Sequence, residues 1–329
     1  MFVVGLEVDL ERVVKQRAAV VLISNFSIVL PLALGVGLAT ALYPQFAGRQ
    51  VPFSSFALFM GTAMSITAFP VLARILKERN LLGTDLGTTA ISCAAIDDVS
   101  AWLLLAVLTA MVHSAQNWHR LAVTLLLLIA FVAIMLFPIR RAASSLESLY
   151  QKHGAGVQLI SLLILIMLVA SFTTERLGVH ALFGAFIAGL VMPKSEPMIA
   201  EIVERIESLS LALLLPLFFA VTGLRTRIDL LTDRSLWGYT AAIITTAVLG
   251  KLAGAALTAK ATGMTWTDSL ALGVLMNTRG LVELVVLNAG LDLGVLSPAL
   301  FTMMIIMALV TTVMTTPILI TMKVQPHGT

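Results

Sequence analysis

The chain has 329 residues, of which 59% are apolar and 12% charged, with a mean hydropathy of +0.99. A soluble domain carries about 25% charged residues, so this composition excludes a water-soluble enzyme; at about 20 apolar residues per crossing it has room for about ten membrane spans. The formal charge of +3 is scattered through short loops, which marks its residues as topology determinants and not as a nucleic-acid surface.

In chain order, the opening MFVVGLEVDLERVVKQR passes from a few apolar residues straight into charges. It is too short for a span, and it lacks the basic stretch that begins a signal peptide. Its pattern is that of the last turns of a helix whose beginning is missing. Apolar runs follow at 18–43, 53–76, 86–112, 121–139, 157–175, 179–193, 209–224, 236–259, 267–291 and 298–322. Cys93 lies inside the third run, where it is a packing residue; as the chain's sole cysteine it allows neither a disulfide nor a cysteine metal site. Between the sixth and seventh runs, KSEPMIAEIVERIESLS sets Ile202, Val203 and Ile206 at helical spacing among acids and Arg205, the pattern of an amphipathic interfacial helix.

Two runs carry interruptions that a plain span would avoid. In FMGTAMSITAFPVLARIL, Pro70 removes a backbone amide while Ser65 and Thr67 offer side-chain oxygens to the freed backbone. In LALGVLMNTRGLVELVVLNAG, Asn277, Thr278, Arg279 and Gly280 stand in mid-run. They occupy the second position of the first three runs and of the last three, and lying seven runs apart they cross in opposite directions. Interrupted helices at matching positions of oppositely oriented halves point to the binding site of a secondary transporter. This divides a single transmembrane domain into one core repeat at 18–112, linker and gate helices at 113–235, and a second core repeat at 236–322.

Loop charges give the orientation. Arg12, Lys15, Arg17, Arg74, Lys77, Arg79, Arg140, Arg141, Lys152, Lys194, Arg205, Lys260 and Lys323 fall on the side of the N-terminus, and Arg49, Arg120, Arg176, Arg225, Arg227 and Arg234 on the other. The positive-inside rule places both termini in the cytoplasm of a multi-pass protein, here assigned to a bacterial inner membrane.

Charges in mid-run carry the chemistry. Asp97 and Asp98 sit at the centre of ISCAAIDDVSAWLLLAVL, where an ionised carboxylate costs at least ~2.5–3.5 kcal/mol. Adjacent helical residues point about 100° apart, so one carboxylate can face a cation while the other meets a fixed positive group. Lys251 is the natural partner, deep in IITTAVLGKLAGAAL and flanked by Gly250 and Gly254, a small-residue face that admits a close neighbour. With Lys251 neutralising one acid, the site keeps one net negative charge for a monovalent cation. Arg279 and Glu283 are spaced to pair on one helix face; the pattern leaves open a structural ion pair or a direct place in the ion path. The five histidines show no metal-ligand spacing.

SITAFPVLARIL at 65–76, AAIDDVSAW at 94–102 and LGVLMNTRGLVELVVLNAGL at 272–291 closely resemble the monovalent cation:proton antiporter-2 group, which includes the plant cation/proton exchangers. GLEVDL at 5–10, LFGAFIAGLVMP at 182–193 and LPLFFAVTGLRT at 215–226 look like segments of the same group in the same order. The resemblance implies an all-α, inverted-repeat sodium/proton antiporter fold with two crossed discontinuous helices. It implies that Asp98 is the ion- and proton-binding carboxylate, that Asp97 pairs with Lys251, and that Thr67 neighbours the ion site. Two departures stand out: members of the group carry two helices and most of a third before GLEVDL, and Ala68 stands where some bacterial relatives have an acid.

The expected function is therefore not enzymatic. It is exchange of Na⁺ or K⁺ for H⁺ by alternating access, in a homodimer, with no cofactor and no metal beyond the transported cation. The alternative is a non-transporting fragment, or a subunit that takes its missing helices from a partner.

Overall fold

The computed structural model describes residues 1–7, 18–48, 51–113 and 118–322. Arg12, Lys15, Arg17, Arg49 and Lys323, which enter the topology argument, lie outside the described residues, as do residues 8–10 of GLEVDL. Within them the fold is helical: α1 (Phe2–Glu7), α2 (Ala18–Phe46), α3 (Phe53–Ser65), α4 (Phe69–Glu78), α5 (Asp85–His113), α6 (Trp118–Ile134), α7 (Arg140–His153), α8 (Val157–Arg176), α9 (Ala181–Leu190), α10 (Glu196–Leu209), α11 (Leu215–Arg225), α12 (Arg234–Ala261), α13 (Trp266–Met276), α14 (Leu281–Asp292) and α15 (Pro298–Thr321). Among the described residues there is no named strand; Ala47 and Leu296 form an isolated antiparallel bridge.

Among the described residues seven helical stretches are long and apolar enough to cross a membrane, or up to eight if the bent pair α13 and α14 is one span. The apolar runs at 179–193 and 209–224, counted among the ten above, fold as the 10-residue α9 and the 11-residue α11. The amphipathic segment does not end before the seventh run: α10 passes through a π-helical turn at Ser210–Leu214 directly into α11. A second π-helical turn at Met135–Ile139, around Pro138, joins α6 to α7, so helix continues past Arg140 and Arg141.

The described residues divide into two compact units, one of residues 1–7 and 106–221, the other of residues 18–105 and 222–322. In the first, α8 and α9 form a hairpin whose turn holds Gly178 at φ +79°, and Glu175 Oε2 accepts from the Ala181 amide at 3.0 Å, at the start of α9. Lys194 Nζ donates to the Gly5 and Leu6 carbonyls of α1 at 2.9 and 2.8 Å.

In the second unit, α2 packs closely on α12. A Cβ added at Gly250 would fall 2.8 Å from Pro31 Cα, and one at Gly254 would fall 2.5 Å from the Phe26 carbonyl oxygen. Only a residue without a side chain lets the two backbones touch in this way. Lys251 sits between these contacts and is carried into the interior with its neighbours. Leu72, Leu76, Ala90, Cys93, Ala255, Leu272 and Leu275 form an apolar core that joins α4, α5, α12 and α13. Cys93 is part of that packing.

Candidate functional site

Asp97 and Asp98 occupy consecutive positions of α5, at 1% and 0% exposure. Asp97 is held from two helices and one interruption. Lys251 Nζ on α12 donates to Oδ2 at 2.7 Å, and the Thr67 hydroxyl donates to the same oxygen at 2.9 Å. From α2, Ser24 Oγ donates to Oδ1 at 2.7 Å, while Ser27 Oγ lies 3.2 and 3.3 Å from the two oxygens. Lys251 Nζ also donates to Thr67 Oγ1 at 2.7 Å. A buried ion pair persists only when further hydrogen bonds replace the lost water, and here three hydroxyls do so. Asp98, one position on, is turned about 100° around α5.

Two helices are interrupted beside this pair. The first break lies between α3 and α4, where Ile66 and Ala68 are extended (ψ 140° and 97°). Pro70 then falls in the first turn of α4, where a missing amide costs nothing because that turn's amides have no helical partner. The second lies between α13 and α14, whose axes bend by 43°; Asn277 caps the end of α13, and α14 begins after Gly280.

The breaks meet. The Ala68 amide donates to the Thr278 carbonyl at 2.9 Å, and Thr67 Oγ1 lies 2.9 Å from the Met276 carbonyl at the end of α13. Arg279 Nη1 and Nη2 donate to the Ala63 and Met64 carbonyls at 2.6 and 2.7 Å, so a cation from the second break covers the negative end of α3. Thr312 on α15 accepts from the Arg279 amide at 2.9 Å and donates to the Arg279 carbonyl at 2.7 Å. The approach is close at Gly280, where a Cβ would fall 2.7 Å from Val71 Cγ2.

The Arg279–Glu283 pair forms despite the interruption, at 3.0 Å with both side chains fully buried. Glu283 lies in the first turn of α14, where a carboxylate also meets the positive helix end. Thus Asp97, Lys251 and Thr67 come together; Arg279 and Glu283 hold the adjoining crossing; Asp98 is next to Asp97 along α5.

Ser24 and Ser27 escaped the sequence reading. Their signal was weak: two serines three residues apart on a buried helix face, which in most apolar helices bond only to their own backbone. Also missed was Asn277 as a buried side chain, at 3% exposure. Among the described residues no group of three or more His, Cys, Asp or Glu could hold a metal ion.

A family model for sodium/hydrogen exchanger, transmembrane, matches residues 1–321. The chain is similar to Na(+)/H(+) antiporter NhaS4 of Synechocystis sp., at 40% identity over 328 residues, covering 99% of this chain and 79% of that protein. It is similar to Cation/H(+) antiporter 17 of Arabidopsis thaliana, at 40% identity over 97% of this chain. Likewise it is 36% identical to K(+)/H(+) antiporter 1 of Saccharomyces cerevisiae over 97% of this chain. It spans 39% of the plant protein and 37% of the yeast one.

Proposed function

Because the chain belongs to the transmembrane sodium/hydrogen exchanger family, we propose that it exchanges a monovalent cation, Na⁺ or K⁺, for H⁺ by alternating access. The observation that carries this reading is the pair of adjacent buried acids on α5, one of them ion-paired with a buried lysine. Asp97, Asp98 and Lys251 together hold one net negative charge, which matches one monovalent cation. Asp98 receives the cation or a proton in turn, since a carboxylate can hold either and two charges of the same sign exclude each other there. Thr67 places its hydroxyl and the adjoining backbone beside the acids. Arg279 and Glu283 act as the supporting pair of the crossing, because the guanidinium is spent on carbonyls of α3 as well as on Glu283. The protein works as a homodimer in a bacterial inner membrane, with both termini in the cytoplasm, in keeping with the loop charges.

Reconstitution into liposomes loaded with a pH-sensitive dye tests the reading. Addition of Na⁺ or K⁺ outside should move protons outward for the unsubstituted chain. It should not do so for Asp98→Asn, in which an amide keeps the shape but neither releases a proton nor offers a full charge. Inserted, monodisperse unsubstituted chain that moves no protons would favour the non-transporting alternative, and robust exchange by Asp98→Asn would remove Asp98 from its role.

A further inference from the structure

Asp97 has more donors than its lysine alone supplies. Ser24 Oγ at 2.7 Å and Ser27 Oγ at 3.3 Å address Oδ1, while Lys251 Nζ at 2.7 Å, Thr67 Oγ1 at 2.9 Å and Ser27 Oγ at 3.2 Å address Oδ2. A carboxylate offers about four lone-pair sites, so these four groups leave it none for a further ligand. The Ser24 and Lys251 contacts have the lengths of bonds to an ionised acceptor, about 2.5–2.7 Å for an O–H donor and about 2.7–2.9 Å for an N–H donor. Both serines are fully buried, and among the described residues Asp97 is the one acceptor of the Ser24 hydroxyl. Packing fixes Ser27 as well: a Cβ at Gly254 would fall 3.2 Å from Ser27 Cα, in the same close approach of α2 and α12 that carries Lys251 inward.

We propose that Ser24 and Ser27 are positioning residues that commit Asp97 to Lys251, so that Asp97 takes neither cation nor proton and a single proton crosses for each monovalent cation. The inference rests on the exchange reading above and adds its stoichiometry. The proton binds an Asp98 oxygen on one side of the membrane and leaves to water on the other, where the cation takes its place. With the cation on Asp98, the site formed by Asp97, Asp98 and Lys251 is neutral, and with the proton there it is neutral again. Arg279 and Glu283, which also act on Lys251, are of opposite sign and paired with each other. No net charge crosses, and the membrane potential neither drives nor opposes the exchange. An Asp97 with vacant lone pairs would take a second proton, the proton-loaded site would carry one positive charge, and exchange would move charge.

Purified full chain in proteoliposomes tests this with two readings of the same jump in Na⁺ or K⁺: proton movement by an internal pH dye, and charge displacement by electrometry on a solid-supported membrane. Proton movement without charge displacement is expected. Proton movement accompanied by charge displacement would overturn the inference and leave exchange standing. No proton movement with either cation, from inserted and monodisperse protein, would overturn the exchange reading and the inference with it. In the double variant Ser24→Ala, Ser27→Ala both lone pairs of Oδ1 are released, so charge displacement should appear and the proton-to-cation ratio should rise about twofold. Ser24→Ala alone, which removes the shorter bond, serves should the double variant not purify. Serines that only pack the helices would lower the rate or the melting temperature and leave exchange free of charge displacement, a result that would overturn their assignment.

Discussion

The two interrupted helices meet through one backbone hydrogen bond, from Ala68 to Thr278, yet they bring different things to the meeting. The first break is uncharged: Ile66, Thr67 and Ala68 supply a hydroxyl and an amide, and the hydroxyl touches Asp97 and Lys251. The second break carries Arg279, which reaches back to Ala63 and Met64 at the end of α3 and forward to Glu283. One break contacts Asp97 and the other holds it in place. In an apolar medium every freed carbonyl must find a donor, and the first break borrows a charged one from the second. Thr67 is therefore only as well placed as Arg279 makes it.

The largest expected effect comes from removing that support. Arg279→Gln leaves Glu283 and two carbonyls without the guanidinium, and loss of one partner of a buried pair costs about 3–5 kcal/mol. The melting temperature of purified protein should fall sharply, with Arg279→Lys recovering part of the loss; a melting curve unchanged by Arg279→Gln would break the comparison. Next is Gly280→Ala. Its methyl group meets Val71, overpacking costs about 1–3 kcal/mol, and the double variant with Val71→Ala should restore most of the stability, since Val71 Cγ2 is the nearest atom. A Gly280→Ala protein as stable as the parent would place the crossing further apart than described.

Smaller still is Thr67→Val, which removes one neutral hydroxyl from an acid that keeps Lys251, Ser24 and Ser27. About 1–2 kcal/mol is expected, together with altered cation dependence of exchange, and Thr67→Ser should restore both. If Thr67→Val destabilises more than Arg279→Gln, the order of dependence is reversed. The smallest effect belongs to the loop pair Arg227 and Asp229, 2.7 Å apart and exposed. The hydrogen bond from Arg227, then its charge, holds the Asp229 carboxyl below its usual range. A depressed carboxylate contributes above its unfolded value and is lost as pH falls through its folded one, so the contribution is constant between about pH 6 and pH 8. For so exposed a pair it is slight, and Asp229→Asn should leave melting unchanged across that window.

The interruptions were legible because Pro70 and the polar run Asn277–Gly280 are costly in lipid, and they lie where the helices stop. Helix limits were less legible. Hydropathy reports the surrounding solvent and not the backbone, so the charged stretch after Ile139 read as a loop although it continues α6 through a π-helical turn. The same reason hid the continuity of α10 with α11. For Arg279 and Glu283, spacing alone did not decide whether the pair survives a break; it does because Glu283 falls at once in the next helical turn. Ser24 and Ser27 were not legible at all, since a serine on an apolar helix gains meaning only from the neighbouring helix that faces it.

The hydroxyl of Thr67 has one hydrogen and two acceptors at 2.9 Å, Asp97 Oδ2 and the Met276 carbonyl. Ser27 is placed similarly between the Ser24 carbonyl, at 2.9 Å, and Asp97. With the heavy atoms fixed, each hydroxyl therefore has two orientations, and the one toward Asp97 is favoured while that acid is charged, because a bond to an ionised acceptor is about twice as strong as one to a neutral carbonyl. Such rotors respond to a change of charge by turning, without moving a helix. They give the interior around Asp97 a local polarisability that its apolar surroundings lack, so a proton or cation arriving nearby is answered first by hydrogens and only afterwards by the backbone.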